Sequence, residues 1–146
     1  MRDTYLPQMP LSLEDANQVV TNAHVKAAEI GVNVTVAVVD EGGHLIALGR
    51  MDGAPPLSPQ IAEAKAVGAA MLLRDGGSLL QMSVDRPGFF SAVDRLVRLP
   101  LIPGPGSMPI KRDGMTIGAV GVSGARPEQD LECALSGLAS IELHGT

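Results

Sequence analysis

The stretch VTVAVVDEGGHLIALGRMDGA, residues 34–54, decides the fold. Its first run, residues 34–39, is apolar at every position except Thr35. A strand apolar on both faces is normally covered on both faces, which places it centrally in a sheet. Asp40-Glu41-Gly42-Gly43 then supplies a tight hairpin turn, because glycine tolerates positive φ. The second run, residues 44–52, alternates: Leu45, Ala47, Gly49 and Met51 share one face, and His44, Ile46, Leu48, Arg50 and Asp52 the other. Arg50 and Asp52 stand where this strand should stop, ahead of a proline-rich loop, a common location for function. The plainer reading is a solvated strand end with a surface ion pair.

Upstream, residues 1–10 read as a loose arm, and Ser12 opens a helix with Asp15 completing a weak capping box. Ala16, Val19, Val20, Ala23, Ala27 and Ile30 form its apolar stripe, and Gly31 ends it. His24 flanks that stripe, where a histidine is either solvated and hydrogen-bonded or a metal ligand.

Downstream, Gly53-Ala54-Pro55-Pro56-Leu57 is too proline-rich for regular structure, and Ser58-Pro59 starts a helix with Ser as N-cap. This helix, running to about Leu73, is apolar nearly all round and reads as buried. Lys65 interrupts its stripe of Ile61, Gly68 and Leu72, either as a snorkelling side chain or as a buried cation facing a pocket or a carboxylate. Asp75-Gly76-Gly77 breaks the chain. A short helix over residues 78–82, a bend around Phe89-Phe90 and a second short helix through Val93, Leu96 and Val97 are expected next. Residues 99–102 read as a short edge strand, and Pro103-Gly104-Pro105-Gly106-Ser107 as a structured loop.

Residues 108–111 and 115–123 form a second hairpin around Arg112-Asp113-Gly114. Gly118 and Gly121 suit close contact with a helix. Pro127 opens the last helix, with Leu131, Ala134, Leu135, Leu138 and Ile141 as its expected buried face and a frayed tail at His144-Gly145-Thr146.

The order is helix, two strands, helix and helical linker, three strands, helix. That is an α/β (α+β) protein built on hairpins, one domain over residues 1–146 with its core at about 11–141. The 146 residues suffice for a real core, and with only Tyr5, Phe89 and Phe90 as aromatics it must be filled by aliphatic residues. A net charge of −5 without a basic stripe argues against nucleic acid. No apolar run approaches the roughly 18 residues of a membrane span. The N-terminus has no signal-peptide-like apolar region, and the single Cys133 excludes an intrachain disulfide; both fit a reducing, cytoplasmic compartment. No CxxC, HExxH, P-loop or GxSxG motif is present.

VVDEGGHLIALGRMDGA (residues 38–54), IAEAKAVGAA (61–70) and TIGAVGVSGARPEQD (116–130) together resemble the GlcG/HbpS family, also seen as the C-terminal domain of PduO-type proteins. The resemblance spans residues 11–141 in family order. It implies a profilin-like fold: a five-stranded antiparallel sheet with helices packed on both sides. It also implies a homo-oligomer, often an octamer, and haem or a related tetrapyrrole as ligand. A first-helix histidine ligates haem iron in PduO-type domains, and His24 is the matching position. Three features depart from the family pattern. Arg126 stands where a Thr or Ser usually precedes the PEQD helix, the loop at residues 103–109 is richer in proline, and residues 83–98 look unlike the usual loop.

In the profilin-like order the second and fifth strands end at the same edge, gathering Arg50, Asp52, Ser123 and Gly124 near the starts of the Ser58 and Pro127 helices. Helix N-termini with Arg50, Lys65 and Arg126 would favour an anion there, a substrate carboxylate or a haem propionate. His44 lies on the order of 20 Å away along the strand, outside that site within one subunit, though a neighbouring subunit could supply it. The other outcome is that these charges pair with Glu63, Asp52 or Asp130 as scaffolding. Two functions follow. One is haem binding with His24 as axial ligand. The other is a cofactor-independent tautomerase, isomerase or lyase acting on a small carboxylate-bearing substrate. There Lys65 or Asp52 would be the acid/base, and Arg50, Ser123, Gly124 and Arg126 would hold the ligand. A pure assembly module is a third possibility.

Overall fold

The computed structural model describes residues 10–141. The arm expected over residues 1–10, Pro10 excepted, and the tail expected at His144-Gly145-Thr146 lie outside them. Ser12 caps the first helix, α1 (Leu13–Glu29), its hydroxyl accepting from the Asp15 N–H at 3.0 Å. Strands β1 (Thr35–Asp40) and β2 (Leu45–Arg50) follow as the expected hairpin. Asp40 fixes its turn, with Oδ1 accepting from the N–H groups of Gly42 and His44, each at 2.9 Å.

The second hairpin joins β3 (Ser107–Arg112) to β4 (Met115–Ser123). Its turn holds Asp113 at φ 53° and Gly114 at φ 78°, the pair of positive values that an Asp-Gly turn supplies. All pairings are antiparallel and the order is β2-β1-β4-β3. β1 is therefore central, as its two apolar faces require.

Among the described residues the sheet has four strands, not the expected five. Residues 99–102 form no strand. Pro100 and Pro103 cannot donate to a ladder, and the Leu101 N–H goes instead to Asp94 Oδ1 at 2.7 Å. A bulge between Val38 and Val39 also alters the expected alternation in β2. Leu45 comes opposite Val39, while Ile46 and Ala47 both pack against the main core.

Helices cover both faces. α1 and α5 (Pro127–Ala139) bury Val19, Ala23, Cys133 and Ala134 against Val36, Val38, Val120 and Val122. α2 (Ser58–Leu72) lies on the opposite face over Val39 and Ala119. It comes so close to β4 that a Cβ on Gly121 would overlap the Ala62 carbonyl oxygen. Ser58 does not cap α2. The cap position is Leu57, and the Ser58 hydroxyl is engaged with Thr35 Oγ1 and the Pro55 carbonyl, both at 2.7 Å.

Two further helical expectations shift. Asp75 caps α3 (Gly76–Asp85) rather than only breaking the chain, and Pro87 starts α4 (Pro87–Asp94), so Phe89-Phe90 lie inside a helix and not at a bend. In α5 the buried residues are Asp130, Cys133, Ala134 and Gly137, while Leu135 is 46% exposed. Ala134 and Ile141 of the expected face are in the core and Leu138 packs against it, whereas Leu131 is only half-buried, and Asp130 takes an interior place through its pairing with Lys65.

Cys133 is fully buried between α1 and the sheet, and burial pushes its thiol up to about 11. The thiolate is the reactive form, so this cysteine should resist iodoacetamide at pH 8 in the native protein and alkylate readily in urea. Rapid native-state labelling would show that α5 opens.

Candidate functional site

The register brings together the residues expected at one end of the sheet. Thr35 sits between Arg50 on β2 and Ser123 on β4. Arg50 is exposed, and its Nη2 donates to the Ala54 carbonyl at 2.6 Å. Asp52 is exposed on the turn after β2, Ser123 is buried, and Gly124 is half-buried at the exit of β4. Arg126 is exposed and pairs with Glu128 at 3.2 Å. The free N–H groups expected at the start of α5 are largely taken. Those of Gln129 and Asp130 both donate to the Arg126 carbonyl, at 2.9 and 2.8 Å. The Arg126 N–H donates to the Gln129 side chain and the Ala125 N–H to Asp130 Oδ1.

Lys65 is interior. Its Nζ donates to the Val122 carbonyl at 2.9 Å, to Asp130 Oδ2 at 3.2 Å and to the Pro105 carbonyl at 3.4 Å. These three acceptors account for the three donors of an ammonium group. The Lys65 and Asp130 side chains are 8% and 4% exposed. Burial holds the Asp130 carboxyl above its ordinary value, against the opposing pull of the Lys65 charge and the Ala125 N–H. Gly106, at φ 126°, closes over the pair: a Cβ there would stand 2.7 Å from Lys65 Nζ. Of the two arrangements the sequence left open, the geometry shows the charge paired with a carboxylate.

His24 is half-buried on the flank of α1 that faces β2. Its Nε2 lies 3.0 Å from the Gly49 carbonyl oxygen. A carbonyl can only accept, so Nε2 carries the proton and the lone pair of a neutral ring is on Nδ1. A histidine that ligates a metal commonly has its other ring nitrogen held by such a carbonyl. Gly49 makes the position available, since a Cβ there would come within 2.8 Å of both His24 Cε1 and Val20 Cγ1. Haem iron needs an axial ligand, not a cluster of protein ligands, and a half-buried imidazole fixed through one nitrogen fits that demand. Among the described residues no three of His, Cys, Asp and Glu gather as a metal cluster.

Residues 11–139 match the family described as haem degrading protein HbpS-like. The chain belongs to that family. This HbpS-like chain is 35% identical to the protein GlcG of Escherichia coli K12 over 77% of its length and 81% of that protein's. HbpS of Streptomyces reticuli, solved as a double mutant, superimposes with a TM-score of 0.84 at 26% identity, covering 95% of this chain and 92% of that one. A PduOC–haem complex superimposes with a TM-score of 0.82 at 28% identity, covering 92% of this chain and 97% of that one. No helix among the described residues of the HbpS-like chain is long and apolar enough to cross a membrane.

Sequence reasoning missed two features. One is the pairing of Gly49 with His24, for which the glycine at a strand position was the available signal. The other is Ser107 Oγ, which is buried without a hydrogen-bond partner among the described residues, an arrangement that costs about 1–3 kcal/mol. No sequence pattern marks it.

Proposed function

We propose that this protein binds haem or a closely related tetrapyrrole, with His24 as axial ligand. The observation that carries the reading is the placement of His24: a half-buried imidazole fixed over Gly49 by its Nε2–H. The PduOC–haem complex at 28% identity and the HbpS relatives support it. Arg50, exposed at the same end of the sheet as Ser123 with Thr35 between them, is the cation proposed for the carboxylate side chains of the tetrapyrrole, with Arg126 as a second, exposed charge. The bound group would supply the iron chemistry, while the chain supplies the ligand, its orientation and the charge around it. A homo-oligomer, such as an octamer, working in the cytoplasm is the proposed setting.

The tautomerase, isomerase or lyase reading gains nothing from the geometry. All three Lys65 donors are occupied within the fold, and Asp52 sits on an exposed turn.

Titration of the purified protein with hemin tests the reading. A saturable Soret shift is expected, with weaker binding in Arg50→Ala and an intermediate effect in Arg50→Lys, which keeps the charge but loses the planar fork. Absence of a saturable Soret change in the wild type would remove the proposal. Equal affinity in both Arg50 variants would remove Arg50 from the site.

A further inference from the structure

Among the described residues α4 is the helix in which no residue is buried. Its sequence and the turn after it nevertheless carry two apolar stripes at helical spacing. Phe90, Val93 and Val97 form the inner stripe and are half-buried. Phe89, Ala92 and Leu96 form the outer stripe and are exposed, Phe89 by 45% and Leu96 by 84%. The chain's two phenylalanines thus stand on this helix, outside both core clusters. A helix that is apolar all round is normally covered on all sides, and none of the described residues covers this outer stripe.

The pattern of the stripe says what covers it. Ala92 stands between two large residues, and that order is its own complement. In an antiparallel two-fold pairing Ala92 meets its equivalent at the closest approach, and Phe89 packs on Leu96 of the partner subunit at both ends. Gly88, one turn before Ala92, keeps the approach open, since a Cβ there would meet nothing within 4 Å. Charge agrees with shape. Residues 85–95 hold Asp85, Arg86, Asp94 and Arg95, which balance, on a chain of net charge −5. Two copies can therefore approach here without the repulsion that the acidic remainder imposes, whereas an anionic membrane would find no basic surface. Arg86 stacks over the Phe89 ring at 4.1 Å, and neither Arg86 nor Arg95 has a carboxylate partner among the described residues. Exposed aromatic and arginine side chains of this kind are the residues on which interfaces depend most.

We infer that α4 is an interface between two copies of this chain, paired antiparallel about a two-fold axis at Ala92. The inference rests on the homo-oligomer reading, for which it names a contact surface, and is independent of haem. α4 packs on α3 and α3 on α2, so this surface lies on the side of the sheet away from α1 and His24.

Light scattering on the full chain tests it. Wild type should show at least twice the mass of one chain at micromolar concentration. Ala92 is exposed, so Ala92→Glu and Ala92→Lys should keep the wild-type circular dichroism. Each variant alone sets like charges against each other at the two-fold axis and should halve the mass. An equimolar mixture of the two sets opposite charges there and should restore the wild-type mass. A monomeric wild type would overturn the inference together with the homo-oligomer reading. Variants that keep the wild-type mass would overturn the interface and leave the homo-oligomer standing. A mass that falls in both variants and is not restored by mixing would show that α4 does not meet α4 of a second copy, and would overturn it as well.

Discussion

His24→Ala is expected to abolish the Soret band obtained on adding hemin, or to weaken binding beyond the roughly 10–100-fold that disturbing a ligand's supporting contacts costs. The side chain carries the one imidazole among the described residues that is fixed over β2, and alanine offers iron no lone pair. Added imidazole should restore a Soret band in this variant, because the substitution leaves space where the ring stood. A second variant separates ligation from support. Gly49→Ala puts a Cβ within 2.8 Å of the His24 ring and of Val20, so it should displace the imidazole while leaving its chemistry intact. Weaker binding with an altered Soret maximum is expected, not complete loss. If His24→Ala binds hemin with wild-type affinity and spectrum, His24 is not the ligand.

Lys65→Met is expected to destabilise the protein by about 3–5 kcal/mol at pH 7, because it strands the Asp130 carboxylate away from water. The effect should depend on pH in a definite direction. Burial already raises the Asp130 pKa in the folded state, and removing the Lys65 charge raises it further. A group whose folded pKa is raised contributes stability that is fully present below its unfolded value and lost as pH rises through its folded value. The Lys65→Met deficit should therefore be small in acid, near the ordinary carboxyl value of 3.8, and grow as pH rises above it. Asp130→Asn should cost less, since the Val122 and Pro105 carbonyls remain as acceptors for Lys65. The double variant Lys65→Met/Asp130→Leu should recover most of the loss, as apolar replacements of buried ion pairs often do. Urea unfolding across pH 4–8 reads all three. A Lys65→Met deficit independent of pH would show that Asp130 is not the group left unpaired.

Both hairpins were legible in the sequence because their turns are chemically specific. Asp40-Glu41-Gly42-Gly43 and Asp113-Gly114 supply the positive φ values and the side-chain acceptor that tight turns need. The central place of β1 followed from its two apolar faces. What the sequence could not show depends on partners distant in the chain. Lys65 looks the same whether it meets a ligand or Asp130, which lies far along the chain. The stripe of α5 was misleading at Leu135, because a buried carboxylate needs its partner more than a leucine needs burial: Asp130 pairs with Lys65, whereas Leu135 tolerates exposure. The residues 99–102 segment looked strand-like by apolar content, but Pro100 within it and Pro103 after it remove donors. His24 could be assigned to a helix flank, but the carbonyl that fixes its ring belongs to another element.

The most direct test of haem binding through His24 is an anomalous-scattering map at the iron edge from crystals grown with hemin. The expected result is an iron peak within coordination distance of a His24 ring nitrogen, with density for the macrocycle around it. An iron peak ligated by another residue, or fully formed crystals without any iron peak, would contradict it.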